Sequence, residues 1–352
     1  SGNSGTLGRL LLGLLIHCKH KIKFIGDKSL SKRDFSRITE PLSKFGAKFT
    51  TTFGKLPLTI EGIKNPKPIN YIENKGSAQC KSSVMLAALN TKGETVIKAK
   101  KSRDHTELLF KNLNIPIRIN KKKNYDLIKI KGKKIIQPFN YKIPSDISST
   151  AFFIVLTALS KKSKITIKNI NINPTRTGVL EILKKMGVKI KIKNIRNYKG
   201  EKIANIIVKS AENLKSINCP SKLNSASIDE FLLIFLVAAK AKGVSYFKKL
   251  SELDKKESPR LKWGAKILKM MGIKVQTTKD SIKIYGNPKL KVKNKILIKN
   301  FLKDHRVFMS SVIAALTFGG EWKIFDKDSV NTSFPKFINK VEFLGAKIHQ
   351  NQ

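Results

Sequence analysis

Arginine, cysteine and acidic residues are scarce in this sequence. Only nine of its 71 basic residues are arginine, and 24 acidic residues leave a formal net charge of +47 at pH 7. The three cysteines, Cys18, Cys80 and Cys219, are too far apart for a zinc motif or a disulfide framework. The five histidines form no His-x-x-x-His pair, so we expect no metal site. Unpaired cysteines favour a reducing, cytoplasmic compartment.

Long hydrophobic runs are also missing near the start of the chain. The most apolar stretch there, LLLGLLI, has seven residues, which is too short to span a bilayer. No small-residue cleavage site of the kind that ends a signal peptide follows it. The pattern predicts a buried helix and no association with a membrane.

The high positive charge has two explanations. It is typical of nucleic-acid-binding proteins, but heavy use of Lys, Ile and Asn also follows from A/T-rich codons. The lysines are spread along the whole chain, whereas a nucleic-acid interface concentrates them among exposed aromatic residues. A basic nucleic-acid-binding protein therefore stays as an alternative and not as the first interpretation.

The few arginines are more informative than the many lysines. Where lysine is used almost everywhere, a retained arginine indicates that a planar, bidentate donor is needed. Such donors pair with carboxylates and phosphates, so small anionic ligands are expected. The nine are Arg9, Arg33, Arg37, Arg103, Arg118, Arg176, Arg196, Arg260 and Arg306.

An internal repeat organises the chain. Five times, a helical pattern ends in an apolar-Gly-apolar step, with asparagine replacing glycine once, and a strand pattern follows. These residue types tolerate the left-handed conformation that ends helices. Each repeat has the pattern β-α-β-α-β-β, at a spacing of roughly 70 to 85 residues. The capping residues are Gly46, Asn114, Gly187, Gly272 and Gly345.

Polar clusters precede the predicted helices in repeat after repeat. They read SGNSGT, GSAQCK, KSRDHTE, IDE, KKESPR and KDHR. Each alone is typical of a helix cap or a solvated loop. Their recurrence at equivalent points predicts a cleft that binds anionic small molecules.

These motifs make the chain resemble the enolpyruvyl transferases, and among them the EPSP synthase (3-phosphoshikimate 1-carboxyvinyltransferase) family. GNSGTLGR, GDKS, SAQCK, RDHTE, NPTR and DHR occur in the family's order, in the form of its second class. The resemblance implies an α/β fold of two domains that close on the substrates. Each domain is built of βαβαββ units in an inverse α/β-barrel-like arrangement. Five of six units are expected, with residues 1–142 as an incomplete first domain and 143–352 as the second.

The resemblance also implies the reaction. The 5-hydroxyl of shikimate 3-phosphate attacks C2 of phosphoenolpyruvate, C3 is protonated, and the adduct loses phosphate to give 5-enolpyruvylshikimate 3-phosphate. This is a step of the shikimate pathway to chorismate and aromatic amino acids. It implies no cofactor, no metal, no nucleic-acid or membrane partner, a cytoplasmic monomer, and inhibition by glyphosate, for which Gly5 leaves room.

Site residues follow by similarity. Asp229 is expected to be the base for the 5-hydroxyl, and Glu257 to take part in proton transfer at C3. The shikimate 3-phosphate contacts are Ser77, Ala78, Gln79, Arg103, Asp229 and Lys256. The phosphoenolpyruvate contacts are Asn3, Gly5, Arg33, Gln79, Arg260 and Arg306.

The chain departs from the family pattern in three places. The family's N-terminal Lys-Ser segment is absent, so a truncated, inactive fragment is one alternative. Asp34 and Pro259 replace a usual Pro and a usual Asp beside two of the substrate arginines. A second alternative is the related UDP-N-acetylglucosamine 1-carboxyvinyltransferase, whose reactive cysteine lies in a loop between repeats.

Overall fold

The repeats of the sequence fold into small sheets with helices between their strands. The computed structural model describes residues 1–132 and 135–349. Internal contacts divide the chain into two units, Ser1–Lys142 with Tyr198–Glu201, and Ile143–Asn197 with Lys202 onwards. Each unit has its own hydrophobic core.

The first unit contains two sheets. In the first of them β3 lies between β1 and β2, and both pairs are antiparallel. The second sheet has the order β4–β5–β7–β6, in which only β4 and β5 run parallel, so that this repeat is a complete βαβαββ unit. The elements are α1 (Gly5–Leu15), β1 (Lys21–Phe24), α2 (Ser36–Ser43), β2 (Lys48–Thr52), β3 (Lys55–Glu61), β4 (Asn70–Glu73), α3 (Ala78–Ala88), β5 (Glu94–Lys100), α4 (His105–Asn112), β6 (Ile117–Lys121) and β7 (Tyr125–Lys131).

The second unit contains three repeats. Two have antiparallel sheets, with the orders β8–β10–β9 and β11–β13–β12, and the third pairs β14 with β15 in parallel. The elements are α5 (Ile147–Leu159), β8 (Lys164–Asn171), α6 (Gly178–Lys185), β9 (Lys189–Tyr198), β10 (Glu201–Lys209), α7 (Phe231–Lys240), β11 (Gly243–Phe247), α8 (Arg260–Met270), β12 (Val275–Thr277), β13 (Ile282–Gly286), β14 (Lys295–Ile298), α9 (His305–Phe318), β15 (Glu321–Ile324) and α10 (Phe337–Phe343).

The capping residues behave as the repeat predicts. All five have positive φ, from +52° at Asn114 to +107° at Gly46. One part of the prediction is wrong, because among the described residues no strand follows Gly345. The α/β fold class is confirmed, and the strands of the described residues form no closed barrel.

Apolar sequence explains why the helices of the second unit are central to it. Residues 231–239 of α7 are all buried, and most of α5 and α9 are buried as well. A helix that is apolar all round is stable only inside a core. The core therefore fixes the position of each helix, and with it the polar residues that come directly before the helix starts.

A glycine lets α1 and α3 approach closely in the first unit. A Cβ at Gly13 would lie 2.1 Å from the backbone oxygen of Ser83 in α3. We expect Gly13→Ala to lower the free energy of unfolding by about 2–3 kcal/mol, because the two backbones must separate. Urea unfolding measures this. Gly8→Ala is the matched control in α1, where the new Cβ finds only contacts of 3.4 Å or longer. Equal stability of the two variants would contradict the close crossing.

Candidate active site

The N-terminal loop of the first unit is held by Asp27. Asn3 donates from Nδ2 to Asp27 Oδ2 at 2.6 Å, and the Leu30 N–H donates to Asp27 Oδ1 at 2.7 Å. Burial raises the pKa of Asp27, but these two hydrogen bonds outweigh it and the pKa is lowered overall. Ser4 caps α1, which begins at Gly5, so the helix already starts inside the SGNSGT segment.

Gly5, Arg33 and Gln79 come together at the start of α1. A Cβ at Gly5 would lie 3.2 Å from Nη1 of Arg9 and 3.3 Å from Nη1 of Arg33. Arg9 Nη1 donates to Gln79 Oε1 at 2.7 Å, and Gln79 Nε2 donates to Thr6 Oγ1 at 2.8 Å. Two guanidinium groups and an amide therefore meet around a glycine that leaves them room.

Arg9 is absent from the predicted site although it lies at the centre of this cluster. Its guanidinium also stacks on the Phe35 ring, 5.2 Å from the centroid. Burial and the nearby Arg33 lower its pKa from the usual value for arginine, and it remains charged at neutral pH. The scarcity of arginine was the signal that pointed to it.

The predicted shikimate 3-phosphate residues of the first unit lie at two helix starts. Ser77 caps α3, accepting from the Cys80 N–H at 3.3 Å, and Ala78 and Gln79 are the first residues of that helix. Arg103 lies two residues before α4, and its carbonyl oxygen accepts from Lys81 Nζ of α3 at 2.9 Å. The lysine therefore links the two helix starts.

A buried arginine joins the predicted residues of the second unit. Arg260, at the start of α8, is 2% exposed and surrounded by three carboxylates. Nε and Nη2 bind Asp304 at 2.9 and 3.2 Å, Nη1 lies 3.3 Å from Asp229, and Nη2 donates to Glu257. Carboxylates from three different loops are thus held together by one cation.

Asp229 also forms an ion pair with a second cation, Lys256. Lys256 Nζ lies 3.1 Å from its Oδ1. The carbonyl oxygen of Asp229 accepts from Arg306 Nη1 at 2.9 Å. Arg306 Nη2 donates to Ser148 Oγ at 3.0 Å. Five predicted residues therefore form one connected polar cluster: Asp229, Lys256, Glu257, Arg260 and Arg306.

The charges of the cluster shift the pKa values of its members. Burial raises the pKa of Asp304 and of Glu257, but Arg260 outweighs it and both pKa values are lowered. Burial lowers the pKa of His305 to about 4, with Arg306 adding to the effect. Glu230, beside Asp229, has a raised pKa because it is buried, although Arg306 opposes this. At neutral pH Asp304 and Glu257 are therefore ionised and His305 is neutral.

The geometry sets a condition on the predicted role of Arg260. Its three nitrogens all bind carboxylates, and these bonds use four of its five N–H groups, so contact with phosphoenolpyruvate either uses the second N–H of Nη1 or requires a rearrangement of this pocket. The predicted contact stays a prediction.

Pro259 fits its place because it precedes α8, where no backbone N–H is needed. Asp34 likewise has partners, accepting from the N–H and hydroxyl of Ser36 at 2.8 and 2.6 Å.

Two of the three cysteines are buried. Cys80 is buried in α3, and Cys219 is buried on an extended segment next to β11. Burial raises the pKa of Cys219 to about 11, with Glu181 adding to the effect.

Across residues 1–132 and 135–349, no group of three or more His, Cys, Asp or Glu side chains could hold a metal ion. In the same residues, no helix combines the length and apolarity that crossing a membrane requires.

Comparison with known proteins gives the family of the chain. A sequence profile of the EPSP synthase (3-phosphoshikimate 1-carboxyvinyltransferase) family matches residues 1–341. A 3-phosphoshikimate 1-carboxyvinyltransferase of Ruthia magnifica subsp. Calyptogena magnifica is 42% identical over 349 residues, covering 99% of this chain and 78% of the relative. That of Caldicellulosiruptor bescii is 39% identical over 96% of this chain and 77% of the relative.

Solved structures give the same result. EPSP synthase from Acinetobacter baumannii superimposes with a TM-score of 0.88 at 38% identity, over 100% of this chain and 79% of that one. The enolpyruvyl transferase NikO from Streptomyces tendae shares the fold, with a TM-score of 0.72 at 14% identity over 97% of this chain and 76% of that one. The chain therefore belongs to the EPSP synthase (3-phosphoshikimate 1-carboxyvinyltransferase) family.

Proposed function

We propose that this chain transfers the carboxyvinyl group of phosphoenolpyruvate to the 5-hydroxyl of shikimate 3-phosphate, with Asp229 as the base. The observation that carries the assignment is the position of Asp229, whose Oδ1 lies between Lys256 Nζ at 3.1 Å and Arg260 Nη1 at 3.3 Å. Two cations favour the ionised form of a carboxylate, which is the form that accepts a proton. We also propose that the chain works in the cytoplasm as a monomer.

The reaction divides into two steps. In the first, the 5-hydroxyl oxygen bonds to C2 of phosphoenolpyruvate as Asp229 takes its proton, and the C2–C3 double bond takes up a proton supplied by solvent at C3, which becomes a methyl group. In the second, the methyl group loses a proton, the C2–C3 double bond forms again, and the C2–O bond to phosphate breaks. Glu257 is proposed as the acceptor of that methyl proton. The pairing with Arg260 that lowers its pKa supports this role, because it keeps the side chain ionised.

Binding of the two anionic substrates is proposed for residues from both units. In the first unit, Ser77, Ala78, Gln79 and Arg103 hold shikimate 3-phosphate, and Asn3, Gly5, Arg33 and Gln79 contact phosphoenolpyruvate. In the second unit, Lys256 with Asp229 contacts shikimate 3-phosphate, and Arg260 and Arg306 contact phosphoenolpyruvate. Guanidinium groups and helix N-termini suit phosphate and carboxylate groups, which supports this division.

The decisive experiment measures phosphate release from the purified protein. Release is expected only when shikimate 3-phosphate and phosphoenolpyruvate are both present, with 5-enolpyruvylshikimate 3-phosphate formed in equal amount. Replacing shikimate 3-phosphate by UDP-N-acetylglucosamine is expected to stop it. Activity with the nucleotide sugar, or salt-dependent retention on DNA without binding of shikimate 3-phosphate, would assign the chain to one of the other functions.

The space beside Gly5 leads to a prediction about inhibition. An alanine Cβ there would press against Arg9 and Arg33 at 3.2 and 3.3 Å. We expect millimolar glyphosate to inhibit the parent protein, and Gly5→Ala to raise both the inhibition constant and the KM for phosphoenolpyruvate by about tenfold. Gly8→Ala in the same helix is the control and should change neither. Full activity of the parent in millimolar glyphosate would overturn the prediction.

A further inference from the structure

The first unit contains a buried ion pair to which the proposed reaction gives no role. Lys81 of α3 is 1% exposed and Glu107 of α4 is 3% exposed. Their Nζ and Oε1 atoms are 2.5 Å apart. Lysine and glutamate are almost never buried unless they are paired, and burying both ions costs free energy that their attraction does not fully repay. A pair of this kind is weak support for stability, so another role has to be considered.

The lysine makes a second contact that suggests the role. Its Nζ also donates to the carbonyl oxygen of Arg103 at 2.9 Å. One ammonium group thus ties α3, α4 and the loop before α4 to each other. Beside it, the hydroxyls of Ser82 and Thr106 are 2.7 Å apart and join the same two helices.

The surroundings of the Glu107 carboxylate are unfavourable for the stability of the fold. Its Oε2 is buried and has no hydrogen-bond partner. Burial raises the pKa of Glu107 against the opposing effect of Lys81. An unsatisfied buried carboxylate oxygen is costly. The fold therefore carries this cost at the point where Lys81 joins the two helices and the loop between them.

The two helix starts that the lysine joins are the ones proposed to bind shikimate 3-phosphate. Ser77, Ala78 and Gln79 lie one turn before Lys81 in α3, and Arg103 belongs to the loop whose carbonyl the lysine holds. We propose that Lys81 is a positioning residue whose bond to the Arg103 carbonyl sets the place of the Arg103 loop relative to the start of α3, and thereby the affinity for shikimate 3-phosphate. This inference rests on the proposed function.

The test compares variants that lose the Lys81–Arg103 bond with one that keeps it. Lys81→Met/Glu107→Leu removes both charges and leaves no buried ion unpaired. Lys81→Met alone leaves a carboxyl whose raised pKa allows it to bind a proton. In both we expect the dissociation constant for shikimate 3-phosphate, measured by calorimetry, to rise about tenfold or more. The KM for phosphoenolpyruvate and kcat should change by less than about threefold.

Two controls separate positioning from stability. Glu107→Gln keeps Lys81 and its bond to Arg103, so its affinity for shikimate 3-phosphate should stay within about threefold of the parent. Ile128→Val shortens a fully buried side chain of β7 in the same unit. It should lower the melting temperature and leave the affinity unchanged.

Each outcome decides one question. If either Lys81 variant binds shikimate 3-phosphate as the parent does, or if the KM for phosphoenolpyruvate rises equally, the pair has no positioning role. If the parent itself does not bind shikimate 3-phosphate, the proposed function fails. If the parent binds and Arg103→Ala does not weaken binding, the assignment of Arg103 is wrong, and the reason for holding its loop is lost with it.

Discussion

Asp229→Asn is expected to lower kcat about a thousandfold or more. The substitution keeps the shape of the side chain and removes its ability to accept a proton, and a positioned base contributes about 10²–10⁴ to a rate. The carbonyl oxygen of residue 229 still accepts from Arg306 Nη1, so the backbone contact seen at 2.9 Å survives. The loss should therefore fall on the chemical step.

Single-turnover phosphate release measures that step directly. Binding of shikimate 3-phosphate should weaken less than kcat falls, because the other side chains proposed to bind it are unchanged. Asp254→Asn is a matched control in the same unit, where Oδ1 accepts from the Leu261 N–H at 3.0 Å outside the proposed cluster. It should retain most of the activity. If Asp229→Asn kept more than about a tenth of the parent rate, Asp229 would not be the base.

The repeat could be predicted from the sequence because its signals are local. Glycine or asparagine is required wherever a helix ends in the left-handed conformation, and all five positions have positive φ. The first strands of the third and fourth repeats were harder to predict, since the structure forms them only as isolated bridges. These are Ser145 with Ile170 in the third repeat, and Lys215 with Lys242 and Asn218 with Tyr246 in the fourth. The missing strand after Gly345 shows that a strand pattern needs a partner to become a strand.

The candidate site could be predicted in its residue types but not in its contacts. The motifs singled out Asp229, Glu257 and Arg260, but nothing in the sequence indicates that Arg260 binds both carboxylates and Asp304 as well. Such pairing depends on side chains from segments far apart in the chain. Arg9 was missed for a similar reason, because its hydrogen bond to Gln79 joins residues 70 positions apart.

Asp304 has the largest expected effect on stability. It is 0% exposed and accepts from the N–H and the hydroxyl of Ser258, from two nitrogens of Arg260 and from the N–H of Arg306. Asp304→Asn leaves the Arg260 cation without its bidentate partner and turns an amide NH₂ toward groups that are themselves donors. Breaking a buried ion pair in this way costs about 3–5 kcal/mol, which urea unfolding at pH 7 should show.

The pH dependence of this loss identifies its cause. The pKa of Asp304 is lowered in the folded state, so the unfolded chain binds the proton more readily, and the stabilisation is present above the usual value of 3.8. The deficit of Asp304→Asn should be constant from about pH 7 to pH 5 and shrink as the pH falls below about 4. Asp328→Asn, which breaks the exposed pair with Lys303, is the control and should cause no measurable loss. A deficit that persisted unchanged at the lowest pH would mean that shape and hydrogen bonding, and not the charge of Asp304, hold Arg260 in place.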